Sequence, residues 1–264
     1  MLNNLIQNQL VLGIAQAGTA LLLSLLVIAL TRWQSLHMEA ELLVSIVRGL
    51  AQIVLVGVVL VVVLKGPLAI GALVLALMMV FAAMIASRRS KNLPGAFKVS
   101  LTGIFLGSSL VLLITTLLGV VETKLTALIP IGSMIIANSM NASSLALDRF
   151  ESEVRSHTGQ IEAGLALGAT PHSIIQRFTR SAYQASLIPT VNSLRSLGIV
   201  WIPGLMAGMV LAGEDPVYAA LYQFVVMGIL FTANALASLT CSLLIRGSVF
   251  SAAGQLLLRG EKEE

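Results

Sequence analysis

Seven apolar stretches, each about as long as a membrane span, constrain this chain more than any other feature of its sequence. An α-helix needs roughly 20 apolar residues to cross the hydrocarbon core of a bilayer. Because lipid offers no hydrogen bonds, such a stretch is expected to form a helix that pairs its own backbone groups. We therefore predict an all-α, polytopic membrane protein with about seven transmembrane helices in a single domain, 1–264. The stretches are 10–31, 42–64, 67–86, 99–120, 125–147, 187–213 and 217–245.

The composition agrees with a chain that is dissolved in lipid. Hydrophobic residues make up 57% of it and charged residues only 11%, whereas a soluble domain of this size needs far more charge on its surface. The single cysteine, Cys241, excludes a disulfide within the chain and a cysteine-based metal centre. The first stretch starts near Gln9, follows no basic residue and has the length of a full span. We predict that it is a transmembrane helix and not a cleavable signal peptide.

The basic residues predict the orientation. Of the 16 lysines and arginines, 12 follow the first, third, fifth or seventh stretch and two lie in the loops on the opposite side. The last two, Arg48 and Arg195, lie within or at the edge of a stretch. Since basic loops stay in the cytoplasm, we predict the N-terminus outside and the C-terminus in the cytoplasm. The same rule accounts for the net charge of +4 without a nucleic-acid partner.

The sequence argues against an enzyme. The three histidines, His37, His157 and His172, all lie in predicted cytoplasmic loops, so none can activate a serine within the membrane. No stretch contains two carboxylates, and neither an HExxH motif nor a phosphate-binding P-loop occurs. We predict no catalytic residues and no cofactor bound by this chain. If ATP drives its function, another chain must bind it.

The longest polar region, 148–186, is predicted to lie in the cytoplasm. Its residues 151–167 suit a short helix that Gly168 ends, and Thr170 then caps a second helix that starts at Pro171. Two short helices and a sharp turn would form a compact surface beneath the membrane, where Glu162 can pair with a basic residue of a partner. The alternative is an ordinary amphipathic connector.

The turn resembles a motif of known transporters. Glu162-Ala163-Gly164, followed by Gly168, is similar to the EAA-type coupling motif of ABC importer permeases, whose helix docks into a groove of the ATPase. On this resemblance the residues assigned to ATPase coupling are Glu162, Ala163, Gly164, Gly168, Ala169, Thr170 and Pro171.

Several further segments resemble the FetB family, which includes bacterial iron-export permeases and plant half-transporters for aluminium tolerance. These segments are 129–141, 162–171, 187–192, 198–210 and 212–223, together with Arg48-Gly49-Leu50-Ala51-Gln52. The resemblance implies a permease domain in the inner (plasma) membrane that exports metal ions, iron among them. It also implies a separate FetA-like ATPase, which binds ATP and Mg, and a pair of permeases around two ATPases.

Polar and helix-breaking residues within the apolar stretches are candidates for a substrate pathway or a helix interface. They are Arg48, Gln52, Asn138, Asn141, Asn192, Arg195, Pro203 and Gly204. We predict that Gln52, Asn138 and Asn141 face a shared polar cavity or a dimer interface. Pro203-Gly204 either frees carbonyl groups for a cavity or produces a packing kink.

The two embedded arginines have alternative interpretations. Arg48 either extends to the cytoplasmic head groups, with Glu39 or Glu41 as partners, or serves the substrate. Arg195 follows Asn192, where the family usually has an aspartate three residues before a lysine. This departure argues against a metal-binding carboxylate here, and Arg195 could instead mark the cytoplasmic edge of the sixth span.

The metal site cannot be assigned from the sequence. Glu214 and Asp215 in an external loop, and Met134 and Met206 in the spans, are candidate ligands, but a polar turn and core packing explain them as well. Small residues at 204, 207, 208 and 212 would let a second helix approach, which favours a homodimer. Two other functions remain: an ABC permease for a lipid or small organic ion, and a non-transporting scaffold or assembly factor.

Overall fold

The computed structural model describes residues 9–33, 39–251 and 254–258, and within these ranges the chain is helical with no strand. The helices are α1 Gln9–Trp33, α2 Glu39–Val63, α3 Leu68–Arg89, α4 Ala96–Leu117, α5 Leu125–Ser156, α6 Thr158–Ala166, α7 Pro171–Ser196, α8 Gly204–Leu211 and α9 Pro216–Ser248. Six of them, α1 to α5 and α9, are long and apolar enough to cross a membrane. The predicted all-α, polytopic fold is confirmed.

The chain divides into two compact units. The N-terminal unit, Met1–Gly66, contains α1 and α2, which contact each other. The C-terminal unit, Pro67–Glu264, contains α3 to α9 and holds nearly all of the buried apolar residues.

The predicted span 187–213 is two helices joined by a turn. Its first part belongs to α7, which ends at Ser196, and its last part is α8, which has only eight residues. Gly198 adopts a positive φ of 74°, a conformation that costs a glycine little. The turn is closed by Gly198, whose N–H donates to the Trp201 carbonyl over 3.1 Å, and by Trp201 Nε1, which donates to Ser196 Oγ over 3.0 Å.

The segment formed by α7, the turn 197–203 and α8, which we call the broken crossing, nevertheless runs antiparallel to α9 along its length. His172, at the start of α7, lies 3.3 Å from Arg246 near the end of α9. Farther along, Thr190 Oγ1 accepts a hydrogen bond from Asn234 Nδ2 at 2.9 Å, and the Met206 N–H donates to Gln223 Oε1 at 3.3 Å. Each later residue of the segment therefore meets an earlier residue of α9. Since α9 is itself long enough to span a bilayer, α7 and α8 together supply a seventh crossing.

Close packing between α4 and α9 depends on two glycines. A Cβ atom on Gly103 would lie 2.8 Å from the Ala237 carbonyl oxygen, and one on Gly107 would lie 2.8 Å from the Ala233 carbonyl oxygen. Small residues allow helix backbones to approach in this way. The predicted stripe on α8 is different, because an added Cβ at Gly204 or Gly208 would meet nothing within 4 Å in the described chain.

The polar region 148–186 does not form two separate short helices. Its first part continues α5, whose 32 residues extend about 48 Å and so exceed a hydrocarbon core of about 30 Å. Its last part is the beginning of α7, which runs on for 26 residues. Only α6 is short, and Ile161 packs it into a core with Phe150, Phe178 and Ile245. The surface around α6 is thus fixed to the helices that cross the membrane.

Candidate functional site

A polar cavity of about 340 Å³ lies among α5, α7, α8 and α9. Met134, Trp201, Pro203, Met227 and Leu230 form part of its apolar wall. Its polar lining consists of amides and hydroxyls, with no charged side chain, and comprises Asn138, Asn141, Ser186, Thr190, Ser193, Gln223 and Asn234.

Asn234 is the deepest amide in this lining, with 2% of its surface exposed. Its Nδ2 donates to Thr190 Oγ1 over 2.9 Å, whereas its Oδ1 has no hydrogen-bond partner within the described chain. A buried acceptor without a donor costs about 1–3 kcal/mol. Asn234 therefore retains an unused buried acceptor at the cavity wall.

Gln223 ties the broken crossing to α9. Its side chain is 2% exposed, and its Oε1 accepts the Met206 N–H from the first turn of α8. The first N–H groups of a helix lack partners within the helix, and Pro203, which precedes α8, forms no side-chain cap. Gln223 thus supplies the missing acceptor and holds α8 against the cavity.

Four predicted pathway residues and one candidate metal ligand meet at this cavity. Asn138 and Asn141 reach it from α5, and Pro203 and Gly204 reach it where the broken crossing resumes. Met134 lies beside them, and its backbone carbonyl accepts from Asn138 Nδ2 over 2.9 Å.

Two further polar candidates belong to the N-terminal unit. Arg48 and Gln52 are exposed on α2, in the N-terminal unit, and within the described residues Arg48 has no ion pair with Glu39 or Glu41. The helix explains this, because seven or more residues separate Arg48 from either carboxylate, a rise of about 10 Å.

Asn192 and Arg195 are exposed on the side of α7 that faces away from the cavity. The expectation that Arg195 marks the cytoplasmic edge of a span is wrong. Its neighbour Leu194 packs against the core cluster that contains Val226 and Leu230, whereas α6 packs into a different cluster through Ile161. Arg195 therefore lies well inside the crossing.

The predicted acidic metal ligands have a different role or no partner. Asp215 caps α9, with Oδ1 accepting the N–H groups of Val217 and Tyr218, both at 2.9 Å. Glu214 is exposed beside it. Among the described residues no group of three or more His, Cys, Asp or Glu side chains could hold a metal ion. Met206 contributes its backbone to the Gln223 contact, while Met134 and Met227 line the cavity.

The turn after α6 has the geometry that its sequence predicts. Gly168 has a φ of 90°, its N–H donates to the Leu165 carbonyl, and the Ala169 N–H donates to the Gly164 carbonyl, both at 3.0 Å. This pair of bonds is the Schellman motif, which needs a left-handed residue after the helix. Thr170 Oγ1 then accepts the Ser173 N–H and caps α7 at Pro171.

The surface of this turn is open to a partner. Glu162 and Ala163 are exposed, and Leu167 at the tip is 89% exposed. Gly164 faces inward, where an added Cβ would lie 3.0 Å from Ile174 Cδ1. The predicted coupling residues thus form one continuous turn between α6 and α7.

Sequence reasoning missed most of the polar lining of the cavity. Gln223 and Asn234 lie on α9, and Thr190 and Ser193 lie on α7. A signal for the first two was present, because each is an amide within an apolar stretch, as Asn138 is. The hydroxyls gave no such signal, since a serine or threonine in a membrane helix can bond to its own backbone.

Comparisons with known proteins place the chain in a family. The sequence profile of the family described as "Uncharacterised protein family (UPF0014)" matches residues 14–250. The UPF0014 membrane protein YjkA of Bacillus subtilis is 38% identical over 83% of this chain and 88% of its own length. The probable iron export permease protein FetB of Escherichia coli is 33% identical over 93% and 95%. The Arabidopsis thaliana protein ALUMINUM SENSITIVE 3 is 29% identical over 92% and 90%.

No solved structure shows a significant match to the chain. The curated relatives agree with the multi-pass, plasma-membrane location predicted from the sequence. Both the family profile and these relatives cover most of the chain, which therefore belongs to the UPF0014 family of membrane proteins.

Proposed function

We propose that the chain is the membrane-spanning permease subunit of an ABC transporter that exports metal ions, iron among them. A separate FetA-like ATPase binds ATP and Mg and hydrolyses the ATP, and two copies of the permease work as a homodimer. The name of the Escherichia coli relative, a probable iron export permease, supports both the metal and the direction.

The observation that carries this proposal is the continuity between the α6 turn and the cavity. α5 bears Asn141 at the cavity and ends 15 residues later at Ser156, just before α6. α7 begins at Pro171, just after the turn, and bears Thr190 at the cavity. Two unbroken helices, each spanning about 25 Å between the two sites, join them. A displacement of the turn is therefore transmitted directly to the cavity wall.

The broken crossing offers the part that can move. α8 is short and is preceded by the turn 197–203, and its Met206 N–H is bonded to Gln223 of α9. If α7 moves with the ATPase, the turn can absorb the change while α8 stays on α9. The cavity would then open alternately to the two sides of the membrane, as expected when a ligand on the partner shifts a conformational equilibrium.

The test is reconstitution of the chain with a FetA-like ATPase in liposomes. We expect the two proteins to co-purify. Iron added on the ATPase side should stimulate ATP hydrolysis and accumulate inside liposomes whose ATPase faces outward. A chain that forms no complex with the ATPase would contradict the ABC assignment. A complex whose hydrolysis responds to a lipid or an organic ion, and not to iron, would contradict the substrate alone.

A further inference from the structure

The outward face of α7 carries polar side chains on both sides of Ile188, which is 56% exposed. Gln184, Asn192 and Arg195 are all exposed, and their spacing of eight and three residues places them on one side of the helix. The opposite side, with Ser186, Thr190 and Ser193, lines the cavity. Within the described chain none of Gln184, Asn192 and Arg195 forms a side-chain hydrogen bond, and no carboxylate lies within ion-pair distance of Arg195.

This face lies at the depth of the hydrocarbon core. α9 has 33 residues, and a core about 30 Å thick covers roughly 20 of them. Wherever the core is placed along α9, it includes the middle of the helix, about residues 229–235. Thr190 is bonded to Asn234 in that middle part. Asn192 and Arg195 follow within five residues, so their side chains leave α7 inside the core.

Lipid cannot cover Asn192 and Arg195, because an arginine without a partner and an amide without hydrogen bonds would lie in hydrocarbon. Snorkelling is limited as well, since Arg195 stands near the middle of the crossing and not near an end. Either water or polar groups of another helix must therefore cover this side of α7.

The charge at this depth has one sign. In the C-terminal unit the cytoplasmic ends of the helices are marked by Arg88, Asp148 and Arg246. Between these ends and the external loops, Arg195 is the one charged residue that the structure describes. A positive charge with no carboxylate near it, in surroundings of low dielectric, attracts anions and repels bare multivalent cations.

We propose that Asn192 and Arg195 line a part of the aqueous transport pathway on the side of α7 opposite the cavity, and that the solute moved along it carries a net negative charge. This inference rests on the proposed function and refines its substrate class. A metal ion satisfies it when it travels inside a complex with an excess of carboxylate or other anionic ligands. A free divalent or trivalent cation does not.

The test uses thiol reagents of opposite charge on the full-length chain in liposomes. Asn192→Cys is treated with anionic sulfonatoethyl and cationic trimethylammonioethyl methanethiosulfonate, neither of which crosses lipid. The only native cysteine, Cys241, is fully buried, so the unmodified chain gives the blank. Leu106→Cys is the lipid-facing control, because Leu106 is 47% exposed on α4 and its neighbour Gly107 packs at the depth of Ala233.

We expect Asn192→Cys to react with both reagents and Leu106→Cys with neither. The ratio of the anionic to the cationic reaction rate should be about tenfold higher for Asn192→Cys than for a free thiol in solution. The reason is that a charged, low-dielectric pathway raises the local concentration of its counter-ion. Adding Arg195→Gln should remove that preference, and Arg195→Lys should keep it. The ratio of the two rates cancels any effect of Arg195 on the reactivity of the thiol itself.

An unreactive Asn192→Cys would overturn the proposal, since this face would then be covered by lipid or by another part of the protein. Reaction without charge preference, or a preference that survives Arg195→Gln, would overturn the anionic substrate. The readout needs neither the ATPase nor transport, so either failure leaves the proposed ABC assignment standing. Loss of the ATPase complex would contradict that assignment without changing these rates.

Discussion

Amides, not carboxylates, form the deepest polar contacts of the cavity. Asn138, Gln223 and Asn234 each offer a donor and an acceptor, and each uses part of that capacity on the protein: a backbone carbonyl, a helix N–H and the Thr190 hydroxyl. Amides do not titrate near neutral pH, so the polarity of the cavity does not depend on pH.

Replacing Asn138 by Leu should therefore impair transport more than folding. The substitution removes an amide from the cavity and leaves the Met134 carbonyl without that donor, yet it adds apolar volume in a membrane helix, where such volume is tolerated. We expect substrate-stimulated ATP hydrolysis by the complex to fall several-fold while the yield of folded protein stays near that of the unmodified chain.

The control for Asn138→Leu is Thr232→Leu. Thr232 is an exposed residue of α9, bonded only to its own helix at the Gly228 carbonyl and absent from the cavity lining. It should lose neither yield nor stimulated hydrolysis. If Asn138→Leu reduces yield alone, the amide is structural and the substrate path lies elsewhere.

At the scale of helices, apolar runs predicted the structure well and helix ends less well. The stretch 67–86 became α3, Leu68–Arg89, and 217–245 became α9, Pro216–Ser248. The stretch 187–213 was predicted as one continuous span, but it contains a turn at Gly198 and Pro203. The turn was not visible in the hydropathy, because Ile199, Val200 and Ile202 keep it high there. Hydropathy measures contact with lipid, and a chain can turn inside the membrane when its backbone groups are satisfied locally.

The prediction of two short helices in the polar region 148–186 was wrong for the opposite reason. Its charges mark where the protein leaves the membrane, but α5 and α7 continue through that boundary as helices. Nor did the sequence predict that Asn92 Nδ2 donates to Glu151 Oε1 over 2.7 Å and fastens the α3–α4 turn to α5, because the two residues are 59 positions apart. Caps and turns within a few residues, such as Thr170 and Gly168, were predictable because their partners are local.

The α4–α9 contact gives a prediction at this scale. Gly107→Val places new atoms against the Ala233 carbonyl oxygen and Ala237 Cβ, both 2.8 Å from the added Cβ. Because backbone cannot yield as a side chain can, we expect a loss of about 1–3 kcal/mol in unfolding free energy. Gly228→Val is the matched control, since an added Cβ on that residue of α9 meets nothing within 4 Å. Thermal unfolding in detergent should separate the two, and equal stability would contradict the close approach.

At the scale of the whole molecule, the crossing formed by α7 and α8 decides the topology. With it the chain has seven crossings, and its two ends lie on opposite sides of the membrane; without it both ends would share a side. The predicted distribution of basic residues requires the first arrangement, with the C-terminus in the cytoplasm.

Labelling of single cysteines in intact cells tests this topology. Thr123 lies in the turn before α5, and Gly159 lies on α6; both are exposed, and an added Cβ at Gly159 meets nothing within 4 Å. We expect an impermeant thiol reagent to label Thr123→Cys in intact cells and Gly159→Cys only after the membrane is opened. Labelling of both from the same side would contradict the seven-crossing topology.

The central claim is that the α6 turn couples this chain to an ATPase, and the affinity of the ATPase for turn variants tests it most directly. Gly168→Leu should weaken binding, because its φ of 90° costs a residue with a Cβ about 1–2 kcal/mol and shifts the turn. Gly168→Asn should bind nearly as well as the unmodified chain, since asparagine tolerates this conformation. Glu162→Lys reverses an exposed charge and should weaken binding by about 1–3 kcal/mol, a five- to 150-fold rise in Kd. If the ATPase binds Gly168→Leu and Glu162→Lys as tightly as the unmodified chain, the turn is not its docking site and the account of coupling is wrong.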